Sequence, residues 1–399
     1  MEYVYKFYCK LHKLAKIFVG KYIGSNDIPT KSHVLKSFGI ADFNADDTWL
    51  SFISNSTINS NDTFNGMHYA GFISETNDWC LPSWIWTNAT LVALFSTLKK
   101  ENSLRIVSDN LLKRQLKCGG WIVRNDYGKN GAKPILAPND SAYIANNGML
   151  EAYIYTGEYK YLESAEKCAK WIIETSRSDG MVYLGFDLNK NEWDKSCVIV
   201  DVGFTAGLFA RLYEITQKTS YIDFLKRFIY RYIDLFFVPS KNGFCTNIDF
   251  NNKQNNSMFG RGQAWALEGL IPSFKVLKDE KIRNVIQSTI DNLIDKQCRN
   301  GGWPYNLVCR LMGEDCKAVP VIAKDMMDWY EITKDKKIKE SATRALKWCM
   351  KHTSNEGASC GGIFSFCLEG AIVHNLYSSC AFVYSSAYAI MLNNRLKNK

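Results

Sequence analysis

The stretch Gly119-Gly120-Trp121 decides the fold, because it follows an apolar helical stretch and returns as Gly301-Gly302-Trp303 in an equivalent setting. At each such junction a helical stretch ends in glycine, and an aromatic or hydrophobic residue follows. Junctions of this kind recur about every 60 residues, which is typical of a repeat architecture. The other copies are Asp179-Gly180-Met181-Val182-Tyr183, Gly243-Phe244 and Gly361-Gly362-Ile363-Phe364.

Between these junctions, each unit contains two amphipathic helical stretches separated by a short polar break. The stretch 162–175 shows the helical period, with apolar residues at i, i+3, i+4 and i+7. The polar breaks are short enough to make the two helices antiparallel. They read Thr156-Gly157-Glu158, Thr216-Gln217-Lys218 and Thr333-Lys334-Asp335. A hairpin of this kind cannot bury its apolar face alone, so the hairpins are expected to stack side by side.

Counting the units predicts how the chain is organised. Five hairpins begin near Trp84, and a last helix is expected from about Ser378 to Leu392. The N-terminal helix, Tyr3 to Val19, is the expected partner of that last helix. Six hairpins close into a ring, so the sequence predicts an all-α protein, an (α/α)6 barrel in which residues 1–399 form one domain. An open solenoid is the alternative.

One polar segment interrupts the helical pattern near the start of the chain. Residues 44–65 are rich in Asn, Ser and Asp, which favour turns and loops over helix interiors. The sequence therefore predicts a long loop there, lying near one mouth of the barrel.

The composition excludes several classes of protein. The chain has 399 residues, of which 46% are hydrophobic and 14% aromatic, as expected of a large globular core. The formal net charge is +9, but acidic residues stand among the basic ones, as in Lys334-Asp335-Lys336-Lys337. This mixture is typical of solvated helix faces and does not indicate a nucleic-acid partner. No stretch is long and apolar enough to span a membrane.

The thirteen cysteines predict a reducing, cytoplasmic environment, because they form no CxxC pair and several stand in apolar helical stretches. The N-terminal residues lack the uninterrupted apolar stretch of a signal peptide. Cys360 and His374 suggest a zinc site, but no second Cys or His stands at a supporting spacing. We therefore expect no metal and no cofactor, and the sequence leaves the oligomeric state open.

Candidate functional residues stand just before the inner helices of the ring, which all begin at one rim. Asp140 follows Pro138-Asn139, and Asp201 lies in the apolar run Val198-Ile199-Val200. Burial raises the pKa of a carboxyl group, which suits it to donate a proton near neutral pH. The alternative interpretation is that each aspartate caps a helix, and Asp315 is assigned to such a cap or to a solvated ion pair.

A third inner helix begins with Phe259-Gly260-Arg261-Gly262-Gln263-Ala264-Trp265. Its glycines allow the backbone to approach a ligand closely, and an arginine side chain pairs bidentately with carboxylates. The indole rings of Trp265 and Trp86 offer planes on which a sugar ring can stack. The alternative is a salt-bridged arginine beside a core tryptophan.

This stretch resembles the Arg-Gly-Gln-Ala-Trp signature of the unsaturated glucuronyl hydrolases, a family of six-hairpin glycosidases. Asp201 is similar to the proton-donating aspartate of that family, and Asp140 to its second essential aspartate. The resemblance covers 139–330. Asn139 stands where the family has a histidine, and Cys245 lies in the loop that carries a substrate-contacting histidine in the family.

The resemblance implies a glycoside hydrolase-like enzyme acting on a uronic-acid-containing oligosaccharide. Asp201 would protonate the C4=C5 double bond of the sugar, and Asp140 would hold the substrate and tune Asp201. The remaining predicted contacts to the carbohydrate are Arg261, Gln263, Trp265, Asn139, Trp86 and Cys245. Two alternatives stay open at this point: a non-hydrolytic role in polysaccharide biosynthesis, and a carbohydrate-binding scaffold.

Overall fold

The structure is a computed structural model that describes residues 37–59, 64–74, 77–82, 84–124, 134–365 and 380–397. It contains twelve helices in these residues. They are α1 (Ala45–Asn55), α2 (Trp86–Thr97), α3 (Glu101–Lys113), α4 (Pro138–Ile144, continued by π-helical Ala145–Leu150 and Glu151–Thr156), α5 (Tyr159–Thr175), α6 (Phe204–Thr216), α7 (Thr219–Phe236), α8 (Gly260–Leu277), α9 (Glu280–Lys296), α10 (Val319–Thr333), α11 (Lys336–Lys351) and α12 (Val383–Lys397).

The even-numbered helices form the inner ring of an (α/α)6 barrel. Along this ring α2 packs on α4, α4 on α6, α6 on α8, α8 on α10, α10 on α12, and α12 returns to α2. The odd-numbered helices form the outer layer. The predicted closed ring of six hairpins is therefore confirmed, and the open solenoid is excluded. No helix in the described part of the chain is long and apolar enough to cross a membrane.

Short antiparallel strands occupy the connections from each outer helix to the next inner helix, all at the rim where the inner helices begin. They form five small sheets, in the orders β13-β1-β2, β3-β4-β5-β6, β7-β10, β8-β9 and β11-β12. The strands are β1 (Gly71–Ile73), β2 (Asp78–Cys80), β3 (Ile122–Arg124), β4 (Pro134–Leu136), β5 (Phe186–Asp187), β6 (Glu192–Trp193), β7 (Cys197–Ile199), β8 (Phe237–Val238), β9 (Gly243–Phe244), β10 (Asn247–Asp249), β11 (Pro304–Asn306), β12 (Cys309–Glu314) and β13 (Cys380–Phe382).

The glycines of the repeated junctions are required by a close backbone contact. Gly301 has a φ of +100°, and a Cβ atom there would lie 2.2 Å from the carbonyl oxygen of Arg344 in α11. Gly119 repeats this contact 2.4 Å from the carbonyl oxygen of Lys167 in α5. These two junctions are therefore pressed against the outer helix of the following hairpin, where only glycine fits. At Gly180 the equivalent distance, to the carbonyl oxygen of Arg227, is 3.5 Å and the contact is looser.

The tryptophans of the same junctions make a second repeated contact. The indole of Trp121 donates a hydrogen bond to Leu111 O at 2.8 Å, and that of Trp303 donates to Leu293 O at 2.7 Å. Both acceptors are carbonyl groups near the end of the preceding outer helix. Each Gly-Gly-Trp junction therefore joins two neighbouring outer helices.

The sixth hairpin corrects two sequence predictions. Helix α1 is the outer helix that packs beside α12. Gly361 lies against Thr48 of α1, in the same way that Gly301 lies against α11. The predicted partner, Tyr3 to Val19, lies outside the described residues. The prediction of a long loop over 44–65 is wrong for Ala45–Asn55.

Spacing explains why this polar segment forms a helix. Trp49, Phe52 and Ile53 lie on one face of α1 and are buried, while polar residues occupy the face toward solvent. The indole of Trp49 also donates a hydrogen bond to Thr353 Oγ1 at 2.9 Å. Packing of the apolar face therefore outweighs the weak intrinsic helix preference of Asn, Ser and Asp.

The junction contact predicts a large effect of one added methyl group. We expect Gly301→Ala to lower the free energy of unfolding by about 3 kcal/mol, because the left-handed backbone and the overlap with Arg344 O both oppose it. Gly157 also has a positive φ, of +72°, but has no atom within 4 Å of an added Cβ. Gly157→Ala should cost only about 1 kcal/mol. Urea unfolding of both variants tests this, and equal losses would contradict it.

Candidate active site

The two predicted aspartates lie where inner helices begin, and neither caps its helix. Asp140 is the third residue of the first segment of α4, whose N-cap position is Ala137. Asp201 lies in the 3-10 turn Val200–Gly203 that leads into α6. Neither helix start has a capping hydrogen bond from a side chain, so the alternative interpretation of the two aspartates as helix caps has no support.

These aspartates line one cavity of about 140 Å³ at the rim where the inner helices begin. The chain contributes to it from α2, α4, the turn before α6, and α8, so residues far apart in sequence meet at one opening. The predicted residues in its wall are Asp140, Asp201, Arg261, Trp86 and Trp265. Polar groups that converge on one concave site are typical of ligand pockets.

The environment gives the two carboxyl groups different pKa values. Burial raises the pKa of Asp140 to about 6, and the positive charge of Arg261 limits the rise. Burial and then the negative charge of Asp140 raise the pKa of Asp201 to about 8, although Arg261 and a hydrogen bond from Asn139 act in the opposite direction. At pH 7 Asp140 is therefore ionised and Asp201 carries a proton. Such a separation assigns acid and base roles within a carboxyl pair.

Several polar atoms at this site have no hydrogen-bond partner in the described structure. They are Oδ1 of Asp201, Oδ1 of Asn139, Nε of Arg261 and the hydroxyl of Tyr384, all buried. Buried polar atoms are almost always paired in proteins, and those that are not often mark a functional site. Asp201 and Arg261 line the cavity, Tyr384 packs on Arg261, and Asn139 precedes Asp140, so all four unpaired atoms lie in or next to the cavity wall.

Arg261 is held among three aromatic rings. Its guanidinium carbon lies 4.5 Å from the ring centre of Tyr384, 4.9 Å from that of Trp265 and 5.2 Å from that of Trp86. Burial acts to lower its pKa, but the acidic groups around it, Asp315 among them, raise it. The arginine therefore stays positively charged in the wall of the cavity, and no ion pair to it is found among the described residues.

Asp315 has a structural role that matches the sequence interpretation in part. It is buried, and its Oδ1 accepts a hydrogen bond from the backbone N–H of Lys317 at 3.0 Å, just before α10 begins. The same carboxylate supplies negative charge near Arg261. It is thus a local turn cap that also balances the charge of the site.

Two residues predicted to contact the carbohydrate, Gln263 and Cys245, do not line this cavity. Gln263 is fully buried, and its amide bonds the backbone N–H and C=O of Phe244 and the carbonyl of Phe259, at 2.8 to 3.1 Å. Gln263 therefore joins α8 to β9. Cys245 is also fully buried, outside the cavity wall, and burial raises the pKa of its thiol to about 12. Both side chains are used by the core.

Other residues of the cavity wall were not predicted. They are Tyr143, Phe204, Glu268, Val321 and Tyr388. Tyr143 and Phe204 each follow a predicted aspartate by three residues, and Glu268 follows Arg261 by seven. This helical spacing places each of them on the same helix face as the predicted residue that it follows. That spacing could have identified three of the five. Tyr388 lies in the last helix, whose position depends on ring closure.

The like-charge coupling can be measured directly. We expect Asp140→Asn to lower the pKa of Asp201, because the negative charge of Asp140 is one cause of its rise. Carbon-13 NMR titration of the Asp201 carboxyl group measures this shift without any substrate. Asp291→Asn, an exposed aspartate on α9, is the matched control. An unchanged Asp201 pKa in Asp140→Asn would show that the two groups do not interact.

Comparison with known sequences found a match in the middle part of the chain. Residues 144–313 match the sequence model of Glycosyl hydrolase family 76. The comparison with curated protein sequences gave no match.

Three solved structures illustrate the fold. One is an unsaturated glucuronyl hydrolase specific for heparin, at 16% identity and a TM-score of 0.69, covering 89% of this chain and 96% of that one. A family 76 α-mannanase from Bacteroides thetaiotaomicron is 15% identical, with a TM-score of 0.65, covering 90% and 96%. A cellobiose 2-epimerase from Bacillus thermoamylovorans is 14% identical, with a TM-score of 0.69, covering 88% and 98%. The chain therefore shares the (α/α)6-barrel fold of these three structures.

Proposed function

We propose that the protein is a glycoside hydrolase that uses Asp201 as its acid and acts on an oligosaccharide containing a uronic acid. The observation that carries this proposal is the carboxyl pair in the rim cavity. At pH 7 one member holds a proton and the other is ionised. A hydrolase of glycosidic bonds needs these two protonation states side by side.

The chemistry assigned to the pair depends on the sugar. With an unsaturated uronide, Asp201 adds its proton to C4 of the C4=C5 bond, and positive charge develops at C5. Water then adds at C5 and returns a proton to Asp201. The hemiketal formed at C5 opens to a ketone by breaking its bond to the ring oxygen, which leaves a hemiacetal at C1. Breakdown of this hemiacetal to an aldehyde breaks the glycosidic bond and releases the second sugar. Asp140 stays ionised, stabilises the positive charge and keeps the pKa of Asp201 high.

Arg261 supports the choice of an acidic sugar. Its guanidinium group lies in the cavity wall with an unpaired Nε, and the aromatic rings around it leave little freedom for it to move. A carboxylate is the group that a fixed guanidinium binds best, through two parallel hydrogen bonds. Trp86 and Trp265, which flank Arg261, offer apolar surface to the sugar ring.

Removal of the acid should abolish turnover. We expect Asp201→Asn to lower kcat/KM for unsaturated uronide disaccharides by about 10³-fold, the contribution of a general acid. Loss of the ultraviolet absorbance of the sugar double bond follows the reaction. Asp291→Asn should keep full activity. Undiminished turnover in Asp201→Asn would remove Asp201 from the mechanism.

The pH dependence follows from the same two groups. Activity should rise as Asp140 ionises near pH 6 and fall as Asp201 loses its proton near pH 8. In Arg261→Met both limbs should move to higher pH, because the positive charge lowers both pKa values. KM for the uronide should rise at least about tenfold in this variant, because a charged hydrogen bond is lost. Arg283→Met, exposed on α9, is the control, and an unchanged KM in Arg261→Met would argue against uronate binding.

The family 76 match, together with the likeness to a family 76 α-mannanase, favours a second candidate, hydrolysis of a neutral α-mannan. In this case Asp201 protonates the leaving oxygen and Asp140 acts at the anomeric carbon or on water. Parallel assays with α-mannan oligosaccharides and unsaturated uronides decide between the two. If the protein cleaves mannan and Arg261→Met cleaves it equally well, the neutral substrate is favoured. If the protein converts a free disaccharide to its epimer, it is an epimerase and the proposal of hydrolysis is wrong.

A further inference from the structure

The floor of the candidate active-site cavity carries a third carboxyl group, that of Glu268. Glu268 follows Arg261 by seven residues on α8, so both side chains lie on one helix face, about 10 Å apart along the helix axis. Arg261 stands in the first turn of α8, at the rim, and Glu268 lies two turns deeper. The two aspartates supply the acid and the stabilising charge, which leaves Glu268 without a role in the chemistry.

Three hydroxyl groups form a hydrogen-bonded chain that ends on Glu268. The hydroxyl of Tyr388 donates to Oε1 of Glu268 at 2.6 Å. A phenol has one proton, so the hydroxyl of Tyr143, 2.8 Å away, must donate to that of Tyr388. By the same reasoning the hydroxyl of Thr90 donates to that of Tyr143, at 2.8 Å. Every proton of the chain therefore points toward the carboxyl group, and none is left for a ligand.

The second oxygen of Glu268, Oε2, is available to a ligand. No hydrogen bond to it is found among the described residues, and it is not one of their fully buried unpaired atoms. Glu268 is only partly buried and lines the cavity, and the bond from Tyr388 to Oε1 holds the carboxyl group in place. A fixed carboxyl oxygen of this kind favours a ligand that offers hydroxyl groups.

The protonation state of Glu268 does not alter this preference. Burial raises its pKa, while Lys324, the hydrogen bond from Tyr388 and Arg261 act in the opposite direction. A hydroxyl group suits both states, because it donates to an ionised carboxyl group and accepts from a protonated one. A carboxylate of the ligand is instead drawn to Arg261, which keeps its positive charge. The cavity thus has a cationic end at the rim and a carboxyl end at the floor.

The shape of a uronide matches these two ends. In its ring C1 and C5 flank the ring oxygen, and C2 and C3 lie on the opposite side. The cavity, of about 140 Å³, is too small for two sugar rings, so the sugar attached to C1 must extend out past the rim. C1 and C5 then lie on the rim side, with the C5 carboxylate beside Arg261, and the hydroxyl groups on C2 and C3 turn toward the floor.

We propose that Glu268 is a substrate-binding residue, which holds the C2 and C3 hydroxyl groups of the uronide through Oε2 while Arg261 holds the carboxylate. Because it names contacts of the proposed substrate, this assignment rests on the proposed function. It narrows the substrate class to uronides whose C2 and C3 hydroxyl groups are free. A substituent on either oxygen would remove a donor and collide with the floor.

Calorimetric titration with three probes tests the proposal, on the full chain with Asp201→Asn so that no reaction interferes. Methyl β-D-glucuronide carries a carboxylate and hydroxyl groups, methyl β-D-glucoside carries hydroxyl groups alone, and tetrahydropyran-2-carboxylate carries a carboxylate alone. We expect Glu268→Met to weaken binding of both hydroxylated probes at least about tenfold and to leave the third unchanged. Arg261→Met should weaken both carboxylates and leave the glucoside unchanged. Equal effects of Glu268→Met on all three probes, or no saturable binding of the glucuronide, would overturn the proposal.

Glu268→Gln controls for a folding defect, because its amide oxygen still accepts the hydrogen bond from Tyr388. At pH 9, which favours the ionised form of Glu268, this variant should bind the hydroxylated probes at least about threefold more weakly, since an amide holds a hydroxyl group less strongly than a carboxylate does. Glu163→Gln, exposed on α5, is the matched control. Thermal unfolding checks that each variant is folded. Unchanged binding of the glucuronide by Glu268→Gln would refute the assignment.

Turnover separates this assignment from the proposed function. If Asp201→Asn keeps full activity on unsaturated uronides, the proposed catalysis is wrong, but the binding of the three probes still decides the role of Glu268. If Asp201→Asn loses activity and Glu268→Met binds all three probes as tightly as the parent, the assignment of Glu268 alone is wrong.

Discussion

The contact between a junction glycine and the backbone of the next outer helix is the constraint on which the barrel depends. At Gly119, Gly301 and Gly361 a Cβ atom would lie within 2.2 to 2.4 Å of a carbonyl oxygen. These three junctions are thus held at a fixed distance from the outer layer, and the inner helix that follows each of them starts from a fixed place. Because every outer-to-inner connection lies at the same rim, the starts of the inner helices converge there.

The chemistry of the site follows from this convergence. Asp140, Asp201 and Arg261 lie on three consecutive hairpins, and each alone would be an ordinary residue near a helix start. Brought to one small cavity, they change each other's pKa values: Asp140 raises that of Asp201, and Arg261 lowers both. Burial lowers the dielectric constant around the three groups, which strengthens their interactions.

The sequence alone gave correct predictions wherever the pattern lay within a single helix. The 3.6-residue period predicted the helices, and the position of Asp201 in an apolar run predicted a raised pKa. The sequence-based prediction failed at α1, because the stretch is rich in Asn, Asp and Ser although Trp49 and Phe52 form a buried apolar face on the helix. It also failed at Gln263, because the sequence does not show that the backbone of β9 lies within reach of that amide.

The repeat of helical hairpins and the position of the acids at helix starts were determined by the sequence itself, because periodicity and glycine placement act over short distances along the chain. The tertiary structure alone decided that the ring closes, that α1 completes the sixth hairpin, that three aromatic rings surround Arg261, and that Tyr388 of the last helix reaches the cavity wall. These features join residues hundreds of positions apart, as in the 2.8 Å contact between Tyr143 and Tyr388. Contacts of this kind arise only when the ring closes, and no local pattern in the sequence records them.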